Sequence, residues 1–262
     1  LSSLQLFINK RLKVDKDHKT PSILAIGSPI ISETPDNSIN SFLNEENVRR
    51  ILISKIRTNK SIKEELAYMG YAVWDNLPGA LDEISNISKQ FNNVRTLTGA
   101  NATELSVKIL NDLNDYDIIH FATHSMTIDD IPQASSIVLT PSKKSDDDGY
   151  LNISEISKLN IESSFVNLAS CNTGTGEIFP VQGIHSFIQA FEYAGAQSVL
   201  VSLWPIDDQS TSVFMTSFYS KIASGYYYDH ALAEVKREFI SGEYGEEYKK
   251  PYYWAPFVYY GE

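Results

Sequence analysis

Cysteine is almost missing from this chain: Cys171 is the only one in 262 residues. One cysteine excludes an internal disulfide and a Cys-based zinc site, and it fits a reducing cytosol. Basic residues are short as well, with 22 Lys plus Arg against 33 Asp plus Glu and a formal net charge of −11. That balance argues against direct nucleic-acid binding, which needs a basic surface. No apolar run approaches the length that crosses a bilayer, so no membrane partner is expected. Leu1-Ser-Ser-Leu-Gln lacks the charged start and apolar core of a signal peptide. These absences point to a cytoplasmic protein. The chain does not begin with Met, and the expectation is a piece cut from a longer protein. Its length allows one large α/β domain or two small ones.

What is there concentrates in one stretch, Phe165-Val-Asn-Leu-Ala-Ser-Cys171-Asn-Thr-Gly-Thr-Gly176. An apolar run ends in the lone cysteine and breaks into a glycine-bearing loop. Doubly wound sheets present reactive atoms in this way, because the carboxyl ends of their parallel strands face the ligand crevice. A second run, Tyr116-Asp-Ile-Ile-His-Phe-Ala-Thr-His124, also ends on a residue with chemistry. His124 precedes Cys171 by 47 positions. A histidine about 50 residues before a cysteine, each closing an expected strand, is the caspase-like arrangement. The pattern reads as a cysteine protease with a His124/Cys171 dyad.

Taken in order, residues 1–20 read as an entry helix or linker and Ile23–Gly27 as a buried strand. Residues 30–75, rich in Asn, Lys and Glu, read as a solvated helical insertion. Pro78 opens a helix expected to bury Leu81, Ile84, Ile87 and Phe91. Val94–Thr98 is the second strand. A helix over 104–113, N-capped by Thr103, aligns Leu105, Ile109 and Leu113. Asp117–Thr123, Ser136–Thr140, Phe165–Ser170 and Gln197–Leu203 read as further strands. The loop Pro141–Gly149, with Asp146 to Asp148, is expected to be exposed. Helices follow at Ile153–Leu159, Gly183–Ala194, Asp208–Ser224 and Asp229–Ile240. Trp254–Tyr260 reads as an aromatic strand that Pro256 confines to a sheet edge. Strands alternating with helices predict a single α/β domain over 1–262, its mostly parallel, doubly wound sheet flanked by helices.

Seven segments carry a family resemblance. They are Leu77-Pro-Gly79, Gly99-Ala-Asn-Ala-Thr103, Asp117-Ile-Ile-His-Phe-Ala-Thr-His124, Ser170-Cys-Asn-Thr-Gly174, Glu192-Tyr-Ala-Gly-Ala196, Ser202-Leu-Trp-Pro-Ile-Asp-Asp208 and Tyr253-Trp-Ala255. Together, and in this order, the chain resembles the caspase-like peptidase domain of the CHAT family (caspase, HetF associated with TPRs), a relative of caspases and separase. The resemblance covers nearly the whole chain, from Ile23 to Gly261. It departs at Ser125, where the family usually has Gly, and at Ala169-Ser170, where it usually has Ser-Ala.

The resemblance implies a cysteine endopeptidase that follows helical repeats or another sensor and is gated by an upstream signal. It implies no cofactor. Some relatives act in prokaryotic defence and cut one partner protein, so a specific protein substrate is implied. Cys171 attacks a peptide carbonyl as the thiolate, and His124 handles the proton. The backbone N–H groups of Ser125 and Cys171 form the oxyanion hole. A positive φ at Ser125 would be strained. Trp204, Asp207 and Asp208 stand where related folds build the S1 pocket, so either aspartate could face a basic P1 side chain. The alternative for either aspartate is to N-cap the following helix. The rival to the whole reading is an inert pseudoprotease that serves as an interaction module.

Two other patterns carry less. His120 and His124 share a strand face but lie about 13 Å apart at the 3.3 Å rise of a strand, too far for a metal pair; His120 reads as structural. The bare glycines of Asn172–Gly176 lack the Lys-Ser/Thr of a phosphate cradle.

Overall fold

The computed structural model describes residues 20–30, 76–110, 113–127, 132–142, 147–163, 165–168 and 181–261. Apart from Thr20 and Ile30, the expected entry segment and helical insertion lie outside these residues. The strands are β1 (Ile23–Pro29), β2 (Val94–Gly99), β3 (Ile118–Ala122), β4 (Ser125–Met126), β5 (Ser136–Val138), β6 (Tyr150–Asn152), β7 (Phe165–Leu168), β8 (Ser198–Ser202) and β9 (Phe257–Gly261). The helices are α1 (Pro78–Gln90), α2 (Glu104–Ile109), α3 (Ile153–Ile156), α4 (Val181–Tyr193), α5 (Asp208–Ala223), α6 (Tyr228–Ser241) and α7 (Pro251–Trp254).

Six strands form the main sheet in the order β2-β1-β3-β7-β8-β9. The first five are parallel, and β9 closes the edge antiparallel to β8. The order reverses after β1, which lies between β2 and β3; crevices at the carboxyl ends beside such a reversal are where open α/β sheets bind ligands. Strands β4, β5 and β6 make a separate antiparallel sheet that leaves directly from the end of β3. This is the mixed, mostly parallel architecture expected of a caspase-like fold.

Parallel strands bury both faces when helices cover both, so they read as apolar runs rather than as alternation. The side chains still divide strictly by parity. On one face Leu24, Ile26, Phe121, Val166, Leu168 and Val199 pack with Ile184, Phe187 and Phe191 of α4. On the other, Ile23, Ile118, Phe165 and Leu200 pack with Phe214 and Phe218 of α5 and Val235 and Phe239 of α6. Fully burying one such side chain is worth about 1.5–3 kcal/mol, so neither face could go uncovered. Helix α1 lies over β1 through Ala80 and Ile84, which meet Ala25 and Ala122.

Four expectations need correcting. The buried stripe of α1 is Ala80, Glu83, Ile84 and Ile87, while Leu81 is 49% exposed. A carboxylate takes a core position there because a strand histidine meets it. Helix α2 ends at Ile109, which is 61% exposed, and docks through Glu104 and Val107 instead. The 141–149 loop is not simply solvated: Asp147 is buried and its Oδ2 accepts the Leu105 N–H at 3.0 Å, helping to cap α2. Trp254 closes α7 rather than opening β9, and β9 is the edge strand that Pro256 allows.

Candidate functional site

Alternation along β3 sorts its side chains before any chemistry is considered. Ile119 and Phe121 point to the α4 face, and Ile118 and Ala122 to the α1/α5 face. His120 belongs to the second set. Its imidazole is fully buried, its Nε2 lies 2.8 Å from Glu83 Oε1 of α1, and its ring meets Tyr219 of α5 edge-on with centroids 5.3 Å apart. The Glu83–His120 approach is an ion-pair contact in distance but does not have the line of a straight hydrogen bond. Burial pushes the Glu83 carboxyl above its ordinary range, and the charge of His120 opposes that rise. Asn167, the register partner of His120 on β7, donates to Tyr219 Oη and Met215 Sδ, each at 3.3 Å. His120 is thus committed to a buried polar cluster beneath the sheet.

His124 lies two residues beyond the last residue of β3 and is 1% exposed. Two bonds hold the turn into β4: Thr123 Oγ1 donates to the Val138 carbonyl at 2.6 Å, and the Val138 N–H donates to the His124 carbonyl at 2.8 Å. The second bond makes Ser125 and Ile137 a non-hydrogen-bonded pair of the β4/β5 ladder. The Ser125 N–H is therefore directed away from β5. Ser28 is the residue other than glycine with a positive φ among the described residues. Ser125 is extended, and the strain considered for it does not arise.

Gly27 brings β1 close against this end of β3. A Cβ at Gly27 would stand 2.2 Å from the Ala122 carbonyl oxygen, inside any real contact. The register pairs Phe121 with Leu168 across β3 and β7. His124 is three residues past the first and Cys171 three past the second. Cys171 and the Asn172–Gly176 loop lie outside the described residues.

The two aspartates of the Trp204–Asp208 segment do different work. Asp207 is the N-cap of α5, its Oδ1 accepting the Ser210 N–H at 2.9 Å and its Oδ2 the Ser210 hydroxyl at 2.6 Å. Asp208 reaches across to α1, where Leu77 provides no side-chain cap, and its Oδ2 accepts the Gly79 N–H at 2.5 Å. Burial raises the Asp208 carboxyl above its usual range, while the N–H groups of Gly79 and Ala80 and the charge of His124 pull the other way. Trp204 is half-buried, with Nε1 donating to the Tyr252 carbonyl at 3.0 Å. Gly79 and Asp208 also open a polar groove of about 950 Å³ that runs between α1 and α5 past Asn86, Ser212 and Thr216.

Histidine at the carboxyl end of a central parallel strand, the neighbouring strand's sequence running on to the lone cysteine, and seven ordered motifs converge on one family. The whole chain, residues 1–262, matches the model of the CHAT domain. The chain belongs to the CHAT domain family. That family is caspase-like and related to peptidases. Among curated proteins the chain is similar to tetratricopeptide repeat protein 28 of Homo sapiens, 26% identical over 228 residues. The mouse protein of the same name is 24% identical over 228 residues. Each match covers 73% of this chain but only 9% of the relative, so the chain corresponds to a small part of either protein.

No group of three or more potential ligand side chains is arranged for a metal among the described residues. No helix among them is long and apolar enough to cross a membrane. Sequence reasoning did not find Glu83 or the reach of Asp208 to α1. The available signal was local only: Asp207 with Ser210 three residues on is a capping pattern, which would have released Asp208 for another role.

Proposed function

We propose that this chain is a cysteine endopeptidase domain whose His124/Cys171 dyad cuts one specific partner protein when an upstream sensor releases it. The observation that carries the reading is the parallel β3/β7 register, in which the last paired residues each precede a dyad member by three. Membership of a caspase-like, peptidase-related family supports it, and so does the directed Ser125 N–H.

In this mechanism the Cys171 thiolate attacks the scissile carbonyl carbon and forms a C–S bond. The carbonyl oxygen gathers the negative charge and receives hydrogen bonds from the Ser125 and Cys171 N–H groups. The C–N bond then breaks, and the leaving amine takes its proton from His124. Water attacks the thioester carbon and gives a proton back to His124; the C–S bond breaks, releasing the carboxylic acid and restoring the Cys171 thiolate beside the imidazolium. Trp204, Asp207 and Asp208 border the S1 region in this reading. Since Asp207 is occupied by Ser210, a basic P1 side chain would have to recruit a carboxylate that already serves as a cap.

The domain is read as one unit over 1–262, working in the cytoplasm and without a cofactor. The similar human and mouse proteins are named as tetratricopeptide repeat proteins, which supports an upstream repeat domain as the sensor. Prokaryotic defence is one setting for such a device. The test is cleavage of candidate partner proteins encoded beside the gene, using protein that retains its upstream domain. Wild type is compared with Cys171→Ala and His124→Ala, alongside labelling by an electrophilic peptide probe. A cut lost in both variants establishes the dyad. No cut and no labelling of Cys171 would leave the fold as an interaction module.

A further inference from the structure

We propose that Asp208 is a positioning residue for His124, holding the imidazolium that the dyad needs by presenting a carboxylate across the end of β3; this deepens the endopeptidase reading and rests on it. The argument begins with the division of labour in Asp207-Asp208. Helix α5 is already capped by Asp207 through both carboxylate oxygens. Asp208 is therefore not needed by its own helix. It turns to the start of α1, where the Gly79 N–H holds its Oδ2 and the positive end of the helix favours a negative charge.

That helix start is fixed relative to β3. Ala80 and Ile84 of α1 pack on Ala25 and Ala122. His124 follows Ala122 by two residues, just past the end of β3, so the packing of α1 on Ala122 brings the helix start into its neighbourhood. Asp208 and His124 interact electrostatically across this space. Among the described residues, the charged and titratable groups there are Asp208 and Tyr219 from α5, with Asp207 engaged in its own cap, Glu83 from α1 and His120 from β3 itself. Neither β1, β4 nor β5 carries a charged residue. Glu83 is held against His120 at 2.8 Å, so Asp208 is the carboxylate left to answer His124 among the described residues.

Gly79 makes the arrangement possible. A Cβ there would meet the Asp208 carbonyl oxygen and Oδ2 at 2.7 Å each, so any larger residue displaces the carboxylate. A thiolate nucleophile works with a protonated histidine beside it, and an opposite charge close by favours that protonated form. Asp208 supplies the charge without touching the substrate.

The decisive measurement is histidine C2-hydrogen exchange followed by mass spectrometry across pH on the full-length protein, which reads each histidine's titration peptide by peptide. The variants are Asp208→Asn and Asp208→Ser, which keep an acceptor for the Gly79 N–H, with Asp82→Asn as an exposed charge control in α1. The expected result is a His124 titration moved to lower pH by both Asp208 variants and unmoved by Asp82→Asn. Alkylation of Cys171 by iodoacetamide should slow by about tenfold at pH 6.5 in the Asp208 variants, part of the factor a general acid–base group contributes. A His124 titration unmoved in both Asp208 variants overturns the proposal, and a change confined to the preference for basic P1 residues would assign Asp208 to substrate instead. If His124 shifts while Cys171 alkylation ignores His124→Ala, Asp208 still governs His124 and the endopeptidase reading falls.

Discussion

Glu104→Gln should make the protein relatively more stable as pH rises, against the usual expectation for removing a buried charge from an ion pair. Glu104 opens α2 at 1% exposure. Its Oε1 accepts the N–H groups of Gly149 at 2.6 Å and Tyr150 at 3.0 Å, and its Oε2 lies 2.6 Å from Lys108 Nζ. Burial first, then the charge of Asp148, pushes its pKa up to about 8 from 4.5. Lys108 is shared with Glu155 at 2.6 Å, and the two carboxylates hold its ammonium above the usual range despite burial. A carboxyl whose folded pKa is raised binds its proton more tightly in the native state. Its contribution is complete below pH 4.5 and is lost as pH rises through about 8. At about 1.4 kcal/mol per pH unit, the ceiling is about 5 kcal/mol, spread over the Glu104–Asp148 pair. Glutamine keeps an oxygen for Gly149 and Tyr150 and never ionises. Thermal unfolding of both proteins from pH 5 to 8.5 should show the variant's midpoint gaining on wild type by roughly 4 °C or more, since about 1 kcal/mol moves a chain of this size by about 2–4 °C. A difference that stays flat, or runs the other way, would refute the assignment of burial and Asp148 as the dominant influences.

Two further perturbations probe the floor of the site. Gly27→Ala drives a methyl into the Ala122 carbonyl, at 2.2 Å before relaxation; urea unfolding should show a loss of about 1–3 kcal/mol, and a loss under about 0.5 kcal/mol would mean that β1 and β3 are not locked together there. Glu83→Gln and His120→Phe each strand the other member of a buried pair, and each should cost about 3–5 kcal/mol. The double variant should cost clearly less than their sum, so additive losses in a double-mutant cycle would show that the 2.8 Å contact carries no coupling.

The strands were legible because each is a short apolar run ended by a polar or glycine-bearing break, and burial on both faces leaves that pattern intact. Helices α5 and α6 were legible for a related reason: Phe214, Phe218, Ile222, Leu232, Val235 and Phe239 are all buried as their spacing implied. Helix α1 was misread by one position. Its stripe contains Glu83, and hydrophobic periodicity cannot mark a carboxylate as buried when its partner, His120, arrives from a strand 37 residues later. Asp147 was hidden in the same way. A run of three aspartates reads as solvent-facing until one of them is seen to take the Leu105 N–H.

The site shows the same divide between local and non-local information, but with a consequence for chemistry. His120 and His124 sit four apart in sequence, one on β3 and the other just past its end, and local spacing alone treats them as equivalents. What separates them is the helix layer above. Glu83, buried one turn into α1, meets His120, while Asp208 at the mouth of α1 interacts with His124. Along this face carboxylates and imidazoles alternate, yet the inner pair is sealed among Tyr219, Asn167 and Met215. Only the outer pair lies past the carboxyl end of β3. Position along the β3 direction therefore commits one histidine to the core cluster, while the other is the one proposed for chemistry. Adjacent aspartates divide similarly, Asp207 serving its own helix and Asp208 another. In both pairs the residue type is shared and the function follows from which non-local element each side chain meets.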